Sequence, residues 1–335
     1  MRLSPLVAGL ILAAGLAAAP RGQDPPTLGD KPLELTGHAA GVTAVVFGPD
    51  GRTLASASTD GSVKLWDATT GKSQVAFTGH GTQQVYAVAF CPDRERLASA
   101  GADGVVRVWE AIQGKELLAY AGHRAGANSV HALAFRPDGK RVASGNGSAS
   151  RPISVQVWNP TTGMLDRTIT GFGGMVVGLA YSPDGTRLAG VTGDRKLRVW
   201  NAGTGDEMFA VREADNLFNA VAFSPDGKRL VTANDDKSVA VWDAATGKEL
   251  LRLKGHTREV ATAVFSPDGK WIASAGYDAT IRLWDAATGA ELDSRRGHVR
   301  EVRSLAFSPD GTRLASGAAE ETIKIWPIVG GRPKQ

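Results

Sequence analysis

The sequence predicts an all-β fold assembled by repetition, and three observations carry that expectation. Seven tryptophans, Trp66, Trp109, Trp158, Trp200, Trp242, Trp284 and Trp326, recur at spacings of 43, 49, 42, 42, 42 and 42 residues. Seven turn signals keep step with them, from Pro49-Asp50-Gly51 to Pro309-Asp310-Gly311, with Arg94 in place of the glycine in the second. The 41 glycines and 16 prolines among 335 residues suit many short strands joined by tight turns. Self-similarity at such a period means that each unit is one supersecondary structure stacked on its neighbours.

The stretch from Leu251 to Asp293 is the clearest unit, and its elements can be justified in order. Val260 to Phe265 is apolar and rich in β formers, as an inner strand buried on both faces should be. Pro267-Asp268-Gly269 turns the chain, because proline presets φ and glycine tolerates positive φ. Trp271 to Ser274 returns beside the first strand, and Thr280 to Trp284 is the third. Asp285 to Gly289 makes the next turn, where the aspartate accepts backbone N–H groups, and Glu291-Leu292-Asp293 begins the outermost strand. A Gly-His pair opens the unit at His256 and recurs at His38, His80, His123 and His298, while Phe172 and Ala214 stand at that place in two copies. Each tryptophan is followed by Asp67, Glu110, Asn159, Asn201, Asp243, Asp285 or Pro327. Gly-His and Trp-Asp at this period resemble the WD-repeat family over about residues 31 to 328. The resemblance implies a seven-bladed β-propeller of four-stranded antiparallel blades.

The ends of the chain divide it further. Arg2 precedes a run of small and apolar residues from Leu6 to Ala19, which reads as a signal peptide or an uncleaved anchor over residues 1–19. Residues 20–30, with Pro25-Pro26, read as a stiff linker, and residues 31–335 as the propeller. Leu33-Glu34-Leu35-Thr36-Gly37-His38 matches Leu251-Arg252-Leu253-Lys254-Gly255-His256, so it should be the outer strand of the blade that ends at Trp326. Pairing of the two ends would close the ring and protect its sheet edges. Export to the periplasm, cell envelope or medium is the expected location, with membrane anchoring or the cytoplasm as alternatives.

Composition excludes some chemistry. Cys91 is the one cysteine, so no intrachain disulfide forms, and it stands where other copies carry serine in Ser-Pro-Asp. The net charge of +4 comes from scattered residues, with no run of five like charges, and no nucleic-acid partner is expected. His256, Ser274 and Asp278 are the residue types of a nucleophilic triad. The same offsets recur in His38, Ser56, Asp60 with Trp66, in His80, Ser99, Asp103 with Trp109, and in His298, Ser316, Glu320 with Trp326. An active site seldom comes in four near-identical copies. The resemblance implies instead a buried chain from acid to histidine to serine to the indole N–H of tryptophan, here ending on Trp284. Such buried polar groups each need a partner. No metal site, cofactor or catalytic residue is expected.

Function should then lie where the copies differ. The interval from Phe47 to Ser56 is nine residues in every copy, and that from each tryptophan to the next Gly-His position is 14. The other two intervals vary, and both contain loops on the opposite rim of the ring. His80 to Phe90 is one residue longer than His38 to Phe47, and His123 to Phe135 three longer. Ser144 to Trp158 is four longer than Ser56 to Trp66. One rim is therefore constant and the other variable, with most of the insertion on the third blade. The resemblance implies partner contacts at the openings of the inner strands and before the buried acid: Gln84, Tyr86, Ser129, His131, Met175, Leu217, Asn219, Glu259, Tyr277, Glu301 and Arg303. The long third-blade loop adds Asn146 and Arg151. Phe218 aligns with Val42, Val176 and Val260 and reads as core, and Pro152 stands where the third blade lacks its acid. The expected function is a non-catalytic, monomeric scaffold for an unidentified protein or peptide, touching a membrane only through an uncleaved N-terminal segment. The alternatives are a lactonase-like propeller hydrolase and a cell-envelope sensor or assembly component.

Overall fold

The structure is a computed structural model that describes residues 25–123, 129–147 and 153–330. Among these residues the chain forms seven antiparallel sheets arranged as the blades of a ring. Blade 1 spans residues 42–77, blade 2 85–120, blade 3 129–169, blade 4 176–212, blade 5 218–254, blade 6 260–296, and blade 7 combines 302–329 with the N-terminal strands. Blade 6 shows the plan. Val260–Phe265, Trp271–Gly276, Thr280–Asp285 and Glu291–Arg296 pair in sequence order, each antiparallel to the last.

Burial explains the residue pattern along each blade. All six residues of Trp271–Gly276 are buried, because a second strand lies between two neighbouring blades. Small and apolar residues therefore run through it without alternation. Glu291–Arg296 at the outer edge is largely open to solvent and carries charge. The hydrophobic core lies between blades: Val241 and Leu253 of blade 5 pack with Val260, Ile272 and Trp284 of blade 6. Phe218 belongs to the next such layer and is buried.

The ring closes through blade 7. Leu33–Leu35 pairs antiparallel with Ile323–Ile325, so the outer strand of that blade comes from the opposite end of the chain. A second pairing lies in the stretch expected to be linker. Thr27–Leu28 pairs with Ile328–Val329, where the last strand continues past Trp326, and the Gly29 N–H donates to Pro327 O. Leu28 is fully buried against Ala273, Leu283 and Leu314, and its N–H donates to the Asp293 carboxylate. The linker expectation thus fails at residues 27–28, where burial of one leucine draws the chain onto the blade.

Arginines at the start of second strands join blades on the constant rim. Arg187 donates to Ala244 O at 3.0 Å and Gly227 O at 2.6 Å. Arg313 donates to Ala68 O at 3.0 Å and Gly51 O at 2.5 Å, and Arg229 reaches Ala286 O and Gly269 O in the same way. Each guanidinium also lies over an aromatic ring of the blade it reaches: Phe223, Phe47 and Phe265, at 5.3, 5.4 and 5.1 Å. These contacts combine charge-assisted hydrogen bonds with cation–π attraction.

Candidate functional site

The four acid–histidine–serine–tryptophan sets each lie within one blade and its preceding loop. In blade 6 the Trp284 indole N–H donates to Ser274 Oγ at 2.8 Å. His256 Nε2 lies 2.8 Å from the same oxygen, and His256 Nδ1 lies 2.9 Å from Asp278. Blade 1 repeats this with Trp66, Ser56, His38 and Asp60, at 2.8, 2.7 and 2.9 Å. Trp109, Ser99, His80 and Asp103 form the set of blade 2, joined by Arg107, which donates to Asp103. Trp326, Ser316, His298 and Glu320 form that of blade 7. A neutral imidazole satisfies each chain: Nδ1–H donates to the acid and Nε2 accepts the serine O–H. Burial lowers the pKa of His38 and of His298, which favours that neutral state. Burial alone would raise the Asp60 carboxyl, but hydrogen bonds from Ser62, the Ala39 amide and His38 outweigh it and hold it at about 2. All four serines are fully buried beneath an indole, so no substrate carbonyl reaches their oxygen.

Three blades depart from this plan. In blade 3 His123 Nε2 meets Ser144 Oγ at 2.7 Å, but its Nδ1 is buried without a partner among the described residues. Burial takes its pKa down to about 4. Pro152, at the acid's place, lies outside the described residues. Blade 4 replaces histidine by Phe172 and serine by Gly190, where a Cβ would sit 2.8 Å from the Trp200 ring. Its acid, Asp194, pairs instead with buried Arg198 through contacts of 3.0 and 2.5 Å. The guanidinium lies 5.2 Å from the centre of the Phe172 ring, which meets Trp200 edge to face. In blade 5 Thr232 Oγ1 accepts the Trp242 N–H at 3.0 Å, and Asn216 Oδ1 accepts the Asp236 N–H.

The same contacts define the rims. His38 in the fourth-to-first connection meets Asp60 in a second-to-third turn, so the variable loops share one rim. Arg313 joins the turns at Gly51 and Ala68, so the constant turns share the other. At the variable rim every inner strand carries a register shift of one residue, as between Val85 and Ala87 or Val130 and Ala132. The extra residue in each is Thr43, Tyr86, His131, Val177, Asn219, Ala261 or Arg303. A β-bulge of this kind re-aims a side chain away from the ladder.

These bulges bring some candidate residues together. The rings of Tyr86 and His131 stack across two blades with centroids 4.6 Å apart and planes 14° apart. The Tyr86 hydroxyl donates to Gln84 Oε1 at 3.0 Å, and Ser129 Oγ lies 2.7 Å from His131 Nε2. Gly147 follows, and a Cβ there would sit 2.2 Å from the Cβ of Met175, so the surface runs on to that half-exposed methionine. A second group forms on blades 6 and 7. Arg258 lies over Tyr277, 5.9 Å from the ring centre, and approaches Glu259, while Arg303 donates to Glu301 at 3.0 Å. Asn219 donates to Asp235 at 2.7 Å and to Val260 O at 2.8 Å, so it ties blade 5 to blade 6. Leu217 is half-buried beside it. Asn146 points into the blade instead of out to solvent. It is 2% exposed, and its Oδ1 accepts the Ser154 N–H at 2.7 Å, which clamps the base of the long loop. Arg151 lies outside the described residues.

The family model described as WD domain, G-beta repeat matches residues 29–67, 71–110, 114–159, 163–201, 213–243, 247–285 and 289–327. The chain belongs to this WD-repeat family. Shorter stretches are similar to single proteins: 56 residues are 46% identical to Notchless protein homolog of Arabidopsis thaliana, covering 16% of this chain and 12% of that protein. A stretch of 48 residues is 50% identical to Ribosome assembly protein 4 of Saccharomyces cerevisiae, covering 14% and 9%. A further 48 are 40% identical to Periodic tryptophan protein 2 homolog of Dictyostelium discoideum, covering 14% and 5%. Each match spans little more than one WD repeat and a small part of the relative, so the likeness is in the repeat itself.

Two WD-repeat features escaped the sequence reading. Thr43, at the bulge of blade 1, donates to Val85 O at 2.7 Å, as Asn219 does to Val260 O. The signal for both was present, since each directly follows the first apolar residue of an inner strand. The Arg198–Asp194 pair had a signal too: an arginine two residues before Trp200 in the one repeat that loses its histidine and carries no hydroxyl, only Gly190, at the serine position.

Proposed function

We propose that the chain is a non-catalytic interaction scaffold that holds a protein or peptide partner on its variable rim, centred on the Tyr86–His131 stack. The stack carries the reading. It is a half-exposed aromatic pair, continued by Met175, set on bulges between blades 2 and 3 and flanked by the loops that lengthen most. Aromatic residues and methionine on a rigid frame are favoured anchors at interfaces. Arg303 with Glu301, and Tyr277 with Arg258, supply polar contacts farther around the ring. The printed name of one relative concerns ribosome assembly, which agrees with a role in assembling other molecules. The leader-like residues 1–19 support export, and the N-terminal sequence of the mature protein tests that part.

The scaffold reading is tested by photo-crosslinking in the native cell, with the probe placed at Tyr86, at Tyr277, or at Thr246 on the constant rim. Capture from the first two positions is expected, and Tyr86→Ala should weaken the complex about tenfold. Capture from Thr246 alone would overturn the face assignment. Saturable turnover in metal-supplemented hydrolase assays would overturn the non-catalytic reading.

A further inference from the structure

At the junction of blades 1 and 2 the arginine that joins neighbouring blades is absent, and the place it would fill is open. Where Arg313 crosses from blade 7 to blade 1, its guanidinium takes Gly51 O, Ala68 O and the face of Phe47. From blade 1 to blade 2 the corresponding donor position is Thr53, whose hydroxyl donates within its own turn to Asp50 at 3.0 Å. The receiving groups are present in blade 2: the carbonyls of Arg94 and Ala111 and the ring of Phe90. Neither carbonyl accepts a hydrogen bond among the described residues. A cleft of about 400 Å³ lies there, lined by Asp50, Thr53, Phe90, Arg94, Ala111 and the highly exposed Ile112.

Three other junctions vary the staple rather than leave it open. Trp271 stands at the donor position of blade 6 and is itself buried. On blade 3 Arg141 turns back to Asp166 of its own blade, while Arg136 lies against the Gly185 turn of blade 4. At the junction of blades 2 and 3, Arg96 reaches Gly139 O at 3.2 Å. Thr53 is therefore a short side chain where the repeat elsewhere supplies a bulky or cationic one.

We propose that the cleft between blades 1 and 2 is a vacant guanidinium seat that takes an arginine side chain presented by a partner protein. The occupant is named by the fold itself, which fills the equivalent seats on blades 5, 6 and 1 with Arg187, Arg229 and Arg313. Two flat carbonyl acceptors and a π face suit a planar donor fork better than the point charge of lysine. Asp50 lines the cleft at the place that Asp310 holds beside Arg313, so a carboxylate remains at the mouth. Ile112 offers an apolar lip for the methylene stem. Arg94 is the opposing feature, because its own cation shares the cleft and repels a second one. The site lies on the constant rim and stands or falls apart from the variable-rim scaffold reading.

The test is an NMR titration of the full chain with N-acetyl-arginine methylamide, which requires no identified partner. Saturable shifts at the Phe90 ring and at the amides next to Ala111 are expected in the millimolar range, with the lysine analogue roughly tenfold weaker. Thr53→Arg should fill the seat from within, abolish the shifts and raise the Tm. Arg94→Gly restores a residue suited to the left-handed backbone of that turn, where φ is +68°, and should strengthen binding. Absence of saturable shifts in wild type, equal binding of the lysine analogue, or binding that survives Thr53→Arg would each overturn the proposal.

Discussion

His123 shows how much can follow when a buried histidine has no partner for its Nδ1 among the described residues. Its ring is held neutral by burial, with a folded pKa of about 4 against an ordinary 6.5. The folded state therefore binds fewer protons than the unfolded state between those values. His123 contributes fully to stability above pH 6.5, and the contribution is lost as pH falls toward 4, a span on the order of 3 kcal/mol. The carboxylates act in a lower window: Asp60, Asp103 and Asp194, each held at about 2, lose their contribution as pH falls from about 4. His123→Gln should reduce the slope of the stability profile between pH 6.5 and 4, where His38, His131 and His298 keep a share, and leave the lower window intact. Denaturant unfolding at a series of pH values checks this, and an unchanged slope in the upper window would refute it. The missing acid was legible in the sequence, because Pro152 breaks a strict offset. The clamp by Asn146 was not, since an asparagine before an insertion reads equally well as a surface contact.

At the scale of the blade, polar chains and packing act together. Asp278 accepts from His256 Nδ1–H, the Thr257 amide and the Thr280 hydroxyl and amide. Asp278→Ala strands these donors in a largely buried place, at an expected cost of about 3 kcal/mol. Hydrogen exchange should then speed up in blade 6 more than in blade 3 across the ring. Uniform acceleration would mean that the acid supports the ring rather than its blade. The strands themselves were legible because apolar runs, turn signals and tryptophan anchors agree in every copy. Blade 4 was read only in part. Its loss of histidine was visible, but the partner that replaces it, Arg198, looks like an ordinary third-strand residue until Phe172 is seen stacked on it.

For the whole molecule, the decisive element is the pairing of the two ends. Leu33-Glu34-Leu35 could be recognised because it copies an outer strand, and Ile323–Ile325 receives it. Thr27–Leu28 could not, because two residues beside Pro25-Pro26 carry no period. Deleting residues 25–38 should lower the Tm of the entire ring in one cooperative step, and Leu28→Ala alone should cost about 3 kcal/mol. Differential scanning calorimetry distinguishes these outcomes from fraying of blade 7. A truncated protein that melts like the full chain would refute the closure.

That closure also orders events during synthesis. The strands at Thr27–Leu28 and Leu33–Leu35 leave the ribosome before blades 1 to 6, whereas their partner Ile323–Val329 leaves after them. Blades 1 to 6 can form as the chain emerges, each resting on the one before, but the seam waits until Ile323–Val329 has been made. Throughout that interval blade 7 is incomplete and the strands Thr27–Leu28 and Leu33–Leu35 are unpaired. Chaperones and proteases would therefore meet this protein at its seam, and the completed ring is the form from which that target has gone.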